Sequence, residues 1–137
     1  MDLYIITGFT YYKKMKMKRL LSIVFVFIGL GCFAQMRSDV AQAQDVPALT
    51  ESKTNGVYTF IMPDRSAEDI EKGAKYYTHY FTVSFDDDTD KATITLSEND
   101  ERSRMVLSRF LIASGFRYVQ VGEEKMEVSN FAGKFLR

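Results

Sequence analysis

The stretch FTVSFDDDTDKATITL, residues 81–96, decides the fold. Apolar residues occupy every second position on both sides of a short acidic turn, at Phe81, Val83, Phe85, Ala92, Ile94 and Leu96. Side chains alternate between the two faces of a strand, so this pattern predicts an antiparallel hairpin with one buried face. The chain is therefore expected to fold around a β-sheet.

A helix is predicted before the hairpin, over residues 66–77. Ser66 can accept a backbone N–H, and Asp69 lies three residues later, which is a capping-box pattern. Apolar residues then recur at helical spacing at Ile70, Ala74 and Tyr77. Gly73 lowers helix propensity, and we expect it to permit a close approach of this helix to the sheet.

A second helix is predicted after the hairpin, over residues 99–114. Asn99 or Ser97 can cap its first turn, and Gly115 suits its C-terminal end. Its apolar face contains Val106 and Phe110. With the first helix and the hairpin, this face predicts a core made of Ile70, Phe81, Val83, Ile94, Val106 and Phe110.

Two further strands complete the predicted fold. β-Branched and aromatic residues are frequent at 57–62 and 116–121, which predicts a strand in each range. A weaker, additional C-terminal strand is predicted at 125–129. Residues 131–137 form a turn of helix or an ordered tail. The expected class is α+β, a ferredoxin-like βαββαβ sandwich over residues 56–137 with two helices on one face of an antiparallel sheet.

The N-terminus has the composition of an export signal. Residues 1–34 contain five basic side chains and one acidic one, and the basic cluster precedes an apolar run of about 15 residues, 20–34. That run is shorter than the roughly 20 residues of a transmembrane helix. We expect residues 1–34 to be a leader and signal peptide, with translation starting at Met1, Met15 or Met17, and the mature chain to be periplasmic or secreted.

The only cysteine allows a second interpretation of this segment. Leu30-Gly31-Cys32 partly resembles a lipoprotein signal, in which Cys32 becomes the lipidated first residue. The alternative localisation is therefore a lipoprotein anchored at Cys32, and the chain would meet a membrane only through its signal peptide or this lipid. Residues 35–55 contain few large apolar residues and are expected to be a flexible linker.

Composition excludes several classes of function. One Cys and one His are too few for a Cys₂His₂ or Cys₄ zinc site. Residues 35–137 carry 13 basic and 17 acidic side chains, a net charge of −4, which argues against a nucleic-acid partner. No phosphate-binding glycine loop, nucleophile elbow or metalloprotease motif is found.

Residues 57–121 resemble heavy-metal-associated domains of the copper-chaperone type. Residues 62–72, MPDRSAEDIEK, look like the first loop and helix of that family, and residues 110–116, FLIASGF, resemble the end of its second helix. The hairpin at residues 81–96 is similar to its central hairpin. The resemblance implies a ferredoxin-like fold and a metal loop after the first strand.

The metal loop of the family lacks its ligands in this chain. The family binds a soft ion through M-x-C-x-x-C, but Asp64 and Ala67 stand at the two cysteine positions after Met62. The resemblance therefore predicts the scaffold without the metal transfer, and no cofactor is expected.

Other metal ligands define an alternative. Asp86, Asp88 and Asp90 begin like a calcium loop, but Lys91 and Ser97 stand where an EF-hand needs Gly and Glu, so an acidic hairpin turn is predicted. The thioether of Met62 and the imidazole of His79 can bind Cu(I). The candidate ligands of a metal-handling protein are Met62, His79, Asp86, Asp88 and Asp90.

The predicted function is an exported, non-catalytic interaction or ligand-binding domain. Its partner is expected to be a protein or a small ligand of unknown identity. The alternative is a periplasmic metal-handling protein that uses Met, His and Asp ligands.

Overall fold

The computed structural model describes residues 36–137 as an α+β fold. The strands are β1 Val40–Ala43, β2 Val57–Ile61, β3 Phe81–Asp86, β4 Lys91–Leu96, β5 Tyr118–Val121 and β6 Glu124–Glu127. The helices are α1 Val46–Asn55, α2 Ala67–Ala74, α3 Glu101–Ala113 and α4 Val128–Phe131, and a π-helical turn follows at Ala132–Leu136. The predicted leader, signal peptide and Cys32 lie outside the described residues.

The six strands form one mixed sheet in the order β3-β4-β2-β1-β5-β6. The β3–β4 hairpin is confirmed, with Phe81 paired to Leu96 and Asp86 to Lys91. The sheet differs from the predicted four-stranded antiparallel one, because β1 lies between β2 and β5 and pairs in parallel with β5. Buried residues of all four helices join those of the strands in one core, so the helices share one face of the sheet.

The segment expected to be a flexible linker contains β1 and α1, so that prediction is wrong for residues 40–55. The side chain of Asp45 accepts a hydrogen bond from the N–H of Ala48 (2.9 Å) and begins α1. Gly56 ends it with a left-handed φ of 75°. Only Leu49 and Ser52 of α1 are buried, so pairing of the segment with the sheet, rather than its own apolar content, keeps it ordered.

The caps of α2 and α3 follow local sequence signals. The Ser66–Asp69 capping box is confirmed, with both reciprocal hydrogen bonds present. Helix α2 ends at Ala74 rather than residue 77, because a turn leads the chain back to β3. Helix α3 is capped by Asp100, which accepts from the N–H of Ser103 (2.7 Å). Asn99 instead donates to the last carbonyls of α1, at 2.9 and 3.1 Å.

The C-terminal segment adds an edge strand and a helical end. Strand β6 covers Glu124–Glu127, close to the additional strand predicted for residues 125–129. Val128–Leu136 continues as helical turns, and Phe131 is fully buried against Phe60 with ring centroids 5.9 Å apart. The predicted turn of helix at the C-terminus is therefore part of the core.

The core agrees with the predicted set apart from Val83. Ile70, Phe81, Ile94, Val106 and Phe110 are all buried, whereas Val83 is only half-buried. Val83 lies in β3, which ends the sheet order, so it has a neighbouring strand on one side only. This incomplete burial leaves part of the apolar face of β3 open to solvent.

Gly73 permits a close approach, although not to the sheet as expected. A Cβ at Gly73 would lie 2.4 Å from the Oγ of Ser114 and 3.3 Å from its Cα, at the C-terminal end of α3. The two helices therefore meet at this glycine, and a larger residue would push them apart. Among residues 36–137, no helix has the length and apolar content that crossing a bilayer requires.

Candidate binding groove

The predicted metal ligands lie at separate places in the structure. Met62 is fully buried at the end of β2, where its N–H donates to the carbonyl of Asp90 (2.7 Å). His79 is exposed before β3, and its ring meets that of Tyr80 edge-on at 6.5 Å. Because β3 runs antiparallel along β4 over six residues, Met62 and His79 sit at opposite ends of a hairpin roughly 17 Å long.

The three aspartates belong to the hairpin turn. The carboxylate of Asp86 accepts from the N–H of Asp88 (2.9 Å), and Asp90 has a left-handed φ of 56°. Both features are typical of Asp in turns. Within the part of the chain that the structure describes, no three His, Cys, Asp or Glu side chains are grouped closely enough to hold an ion.

The first loop, between β2 and α2, makes hydrogen bonds to other segments of the structure. Asp64 has a φ of 58°, and its carboxylate accepts from the N–H of Ser38 (2.9 Å). The N–H of Ala67 donates to Asp87 (3.2 Å). The two positions where the resemblance would place cysteines therefore link this loop to the N-terminal segment and to the hairpin turn.

A groove of about 880 Å³ lies between α2 and β3. This volume falls within the roughly 300–1,000 Å³ that is typical of binding sites. Its floor is apolar and is formed by Ile70, Ala74, Phe81, Val83 and Phe85. We refer to this surface as the α2–β3 groove.

The floor of the groove is continuous with the core. Phe81 meets Phe110 of α3 edge-on, with ring centroids 5.2 Å apart, and stacks on Tyr77 at 6.3 Å. Phe81 and Phe110 are almost fully buried. The groove floor is therefore packed into the core at one end, whereas Val83 and Phe85 remain half-buried along the rest of β3.

One side of the groove is an open strand edge. The N–H of Ser97 donates to the carbonyl of Tyr80, and that of Leu96 donates to the carbonyl of Gly56. Hydrogen-bonding groups alternate along an antiparallel strand, so Thr82 and Ser84 face β4. The N–H and C=O groups of Val83 and Phe85 therefore point away from β4, and no described strand pairs with them.

Phe81 offers fewer unpaired backbone groups at this edge than Val83 and Phe85 do. Its carbonyl also points away from β4, but its N–H already donates to the carbonyl of Tyr77 (3.3 Å). The edge thus offers two donors and three acceptors over five residues. This is the hydrogen-bonding pattern that an added strand requires.

The rim of the groove is charged and carries both signs. Glu68, Glu71 and Lys72 line it from α2, and Lys75 lines it from the C-cap position of that helix. Lys72 and Glu68 form an exposed ion pair of 2.9 Å, and this hydrogen bond raises the pKa of Lys72. Lys75 lies 5.7 Å from the ring centre of Tyr76, whose side chain is 80% exposed.

The lining favours an extended polypeptide over a small molecule. Small-molecule sites hold their ligand with a few convergent polar groups. Here the charged side chains stand at the rim, and the polar groups near the apolar floor belong to Thr78, Thr82 and the backbone of β3. A peptide backbone can satisfy those groups while alternate side chains enter the groove.

The sequence contains signals for the components of the groove but not for the groove itself. The alternation of Phe81, Val83 and Phe85 predicts one buried strand face. Four charges spaced for a single helix face, at residues 68, 71, 72 and 75, were a further signal. Which strand ends the sheet depends on strand order, and no local pattern encodes that order.

The comparisons with known proteins add no assignment to this site. No family model, no curated protein and no solved structure matches the chain. The resemblance to heavy-metal-associated domains therefore stays a prediction.

Proposed function

We propose that the chain is an exported, non-catalytic interaction domain that binds an extended polypeptide segment in the α2–β3 groove by strand addition. The observation that carries this proposal is the open edge of β3 beside an apolar groove. Backbone hydrogen bonds along β3 would supply affinity, and the groove floor would select apolar side chains at alternate positions.

The scaffold is proposed to be a ferredoxin-like domain of the heavy-metal-associated type that has lost its metal site. Support comes from the order β2-α2-β3-β4-α3-β5, which is the predicted βαββαβ succession with β1 and α1 added before it. The hydrogen bonds that Asp64 and Ala67 make also suit a loop with a structural role.

Val83→Pro tests strand addition directly. The N–H of Val83 points away from β4, so proline removes a donor at the open edge without removing a bond of the sheet. Peptides selected from a random library against the wild-type protein are expected to bind Val83→Pro at least tenfold more weakly, a loss of about 1.4 kcal/mol.

Val83→Thr is the matched control, because it keeps the N–H and the β-branched shape. It should bind the same peptides within about threefold. Amide hydrogen exchange should also slow at Val83 and Phe85 when peptide binds. Selected peptides that bind Val83→Pro as tightly as wild type would place the binding site elsewhere.

The metal-handling alternative is testable by calorimetry. We expect no Cu(I) or Zn²⁺ binding tighter than the micromolar range, about −8 kcal/mol, because Met62 is buried and His79 lies at the other end of the hairpin. Tighter binding that disappears in His79→Ala would support the metal-handling protein and contradict the degenerate loop.

Export is testable at the N-terminus of the purified protein. If the signal is cleaved after Ala34, mass analysis should find a chain that begins at Gln35 and contains no cysteine. A diacylglycerol-modified Cys32 would instead support the lipoprotein, which is held on a membrane surface by its lipid.

A further inference from the structure

We propose that the segment accepted by the α2–β3 groove is β3 of a second copy of this chain, so that two molecules form a symmetric dimer. This inference rests on the proposed function, since it names the strand that is added. A two-fold axis perpendicular to the sheet would place the two β3 strands antiparallel and join both sheets edge to edge.

The two edges of the sheet differ in how they are protected. Strand β6 has four residues, EKME, and three of them are charged. Glu124 also forms an ion pair with Lys134 at 3.3 Å. Short length and charge are the means by which proteins keep sheet edges from pairing.

Strand β3 lacks this protection. It has six residues, FTVSFD, with no proline, no lysine and one charge at its end. A long apolar edge of this kind pairs readily with another strand. The contrast with β6 indicates that β3 is the edge that takes part in association.

The sequence of β3 is complementary to itself in an antiparallel pair. When Val83 lies opposite Val83 of the second copy, Phe81 lies opposite Phe85, and Thr82 opposite Ser84. Apolar residues then meet on the groove side, and hydroxyl residues meet on the other side. The same register uses the outward donors of both Val83 and both Phe85 residues.

The charges of α2 match the same symmetry. Glu68, Glu71, Lys72 and Lys75 line the groove and lie on one helix face, in the order acid, acid, base, base. The two-fold axis makes the two α2 helices antiparallel. With the axis crossing α2 between Glu71 and Lys72, Glu68 faces Lys75 of the second copy, and Glu71 faces Lys72.

This charge pattern is what distinguishes a second copy from an unrelated strand. In this pairing each acidic side chain of one copy has a basic side chain of the other as its counterpart. The exposed Glu68–Lys72 pair within each copy would become part of a larger network across the axis. Opposite charges across an interface select the partner and its orientation.

Charge-swapped variants of the processed protein, purified after expression of the full chain, test this arrangement. Glu68→Lys/Glu71→Lys makes the helix face wholly basic, and Lys72→Glu/Lys75→Glu makes it wholly acidic. Sedimentation equilibrium should show a wild-type dimer and at least tenfold weaker self-association of each variant alone. An equimolar mixture of the two variants should form a heterodimer, which also shows that both are folded.

The alternatives give distinct results. A wild-type protein that stays monomeric up to about 100 μM, yet binds library peptides in a manner sensitive to Val83→Pro, would overturn the dimer and leave the proposed function standing. A dimer that persists in Val83→Pro and in both charge variants would place the interface on another surface. A wild-type protein that neither binds library peptides nor forms a dimer would overturn both proposals.

Discussion

Arg65→Met is expected to lower the free energy of unfolding by about 3–5 kcal/mol. The Arg65 side chain is buried, and its Nε donates to the carbonyl of Ser114 (2.6 Å). Its Nη2 donates to the carbonyls of Ser38 (3.0 Å) and Gly115 (3.1 Å). One guanidinium therefore joins the N-terminal segment, the first loop and the C-terminal end of α3.

The loss would have two physical sources. Hydrogen bonds from a charged donor contribute about 1.5–3 kcal/mol each, and their removal takes this donor from the carbonyl of Ser114 in a buried position and from those of Ser38 and Gly115 in partly buried ones. The guanidinium also stacks 4.3 Å from the centre of the Phe116 ring. Burial lowers the pKa of Arg65, and the nearby charge of Arg37 lowers it further.

Arg65→Lys is the informative control in denaturant unfolding. Lysine keeps the positive charge, but its ammonium is a compact point charge that does not reproduce the rigid planar fork of donors of the guanidinium. It should recover less than half of the loss. If the lysine variant is as stable as wild type, Arg65 stabilises the fold through its positive charge near the end of α3 and not through the several hydrogen bonds of its guanidinium.

Phe110→Ala is expected to cost about 3–5 kcal/mol, because the ring is fully buried and its loss leaves a cavity beneath the sheet. Domains of this size are stable by only about 5–15 kcal/mol, so the midpoint of denaturation should fall markedly. Ile112→Ala lies on the same helix, where its side chain is 59% exposed, and should change stability by no more than about 0.5 kcal/mol.

The same substitution links stability to the groove. Phe110 supports Phe81, which forms one end of the groove floor. Peptide binding should therefore weaken in Phe110→Ala even at temperatures where the protein stays folded. Equal unfolding curves for Phe110→Ala and wild type would mean that the apolar face of α3 does not carry the core.

Local signals predicted the elements whose stability is decided locally. Side-chain alternation predicted the hairpin, and hydroxyl capping predicted the Ser66–Asp69 capping box. Gly115 was predicted to follow α3, and it has a left-handed φ of 93° there. The cap of α3 was displaced by one residue, to Asp100, because Asn99 is needed at the end of α1.

The segment at residues 40–55 was missed for a physical reason. Its cap Asp45 and its terminating Gly56 are ordinary helix signals, but few apolar residues lie between them. Strand β1, VAQA, has no large apolar side chain and owes its order to β2 and β5 on either side. A segment that is held mainly by its neighbours has little pattern of its own.

By itself, the sequence determined the α+β class, the hairpin and five of the six residues predicted for the core, since period and capping act over a few neighbouring positions. Only the tertiary structure decided that β1 enters the sheet, that Arg65 is buried among backbone carbonyls and that β3 stands at an edge. These features depend on contacts between segments distant in the chain. The groove exists because strand order leaves one side of β3 unpaired, and strand order is a property of the assembled sheet.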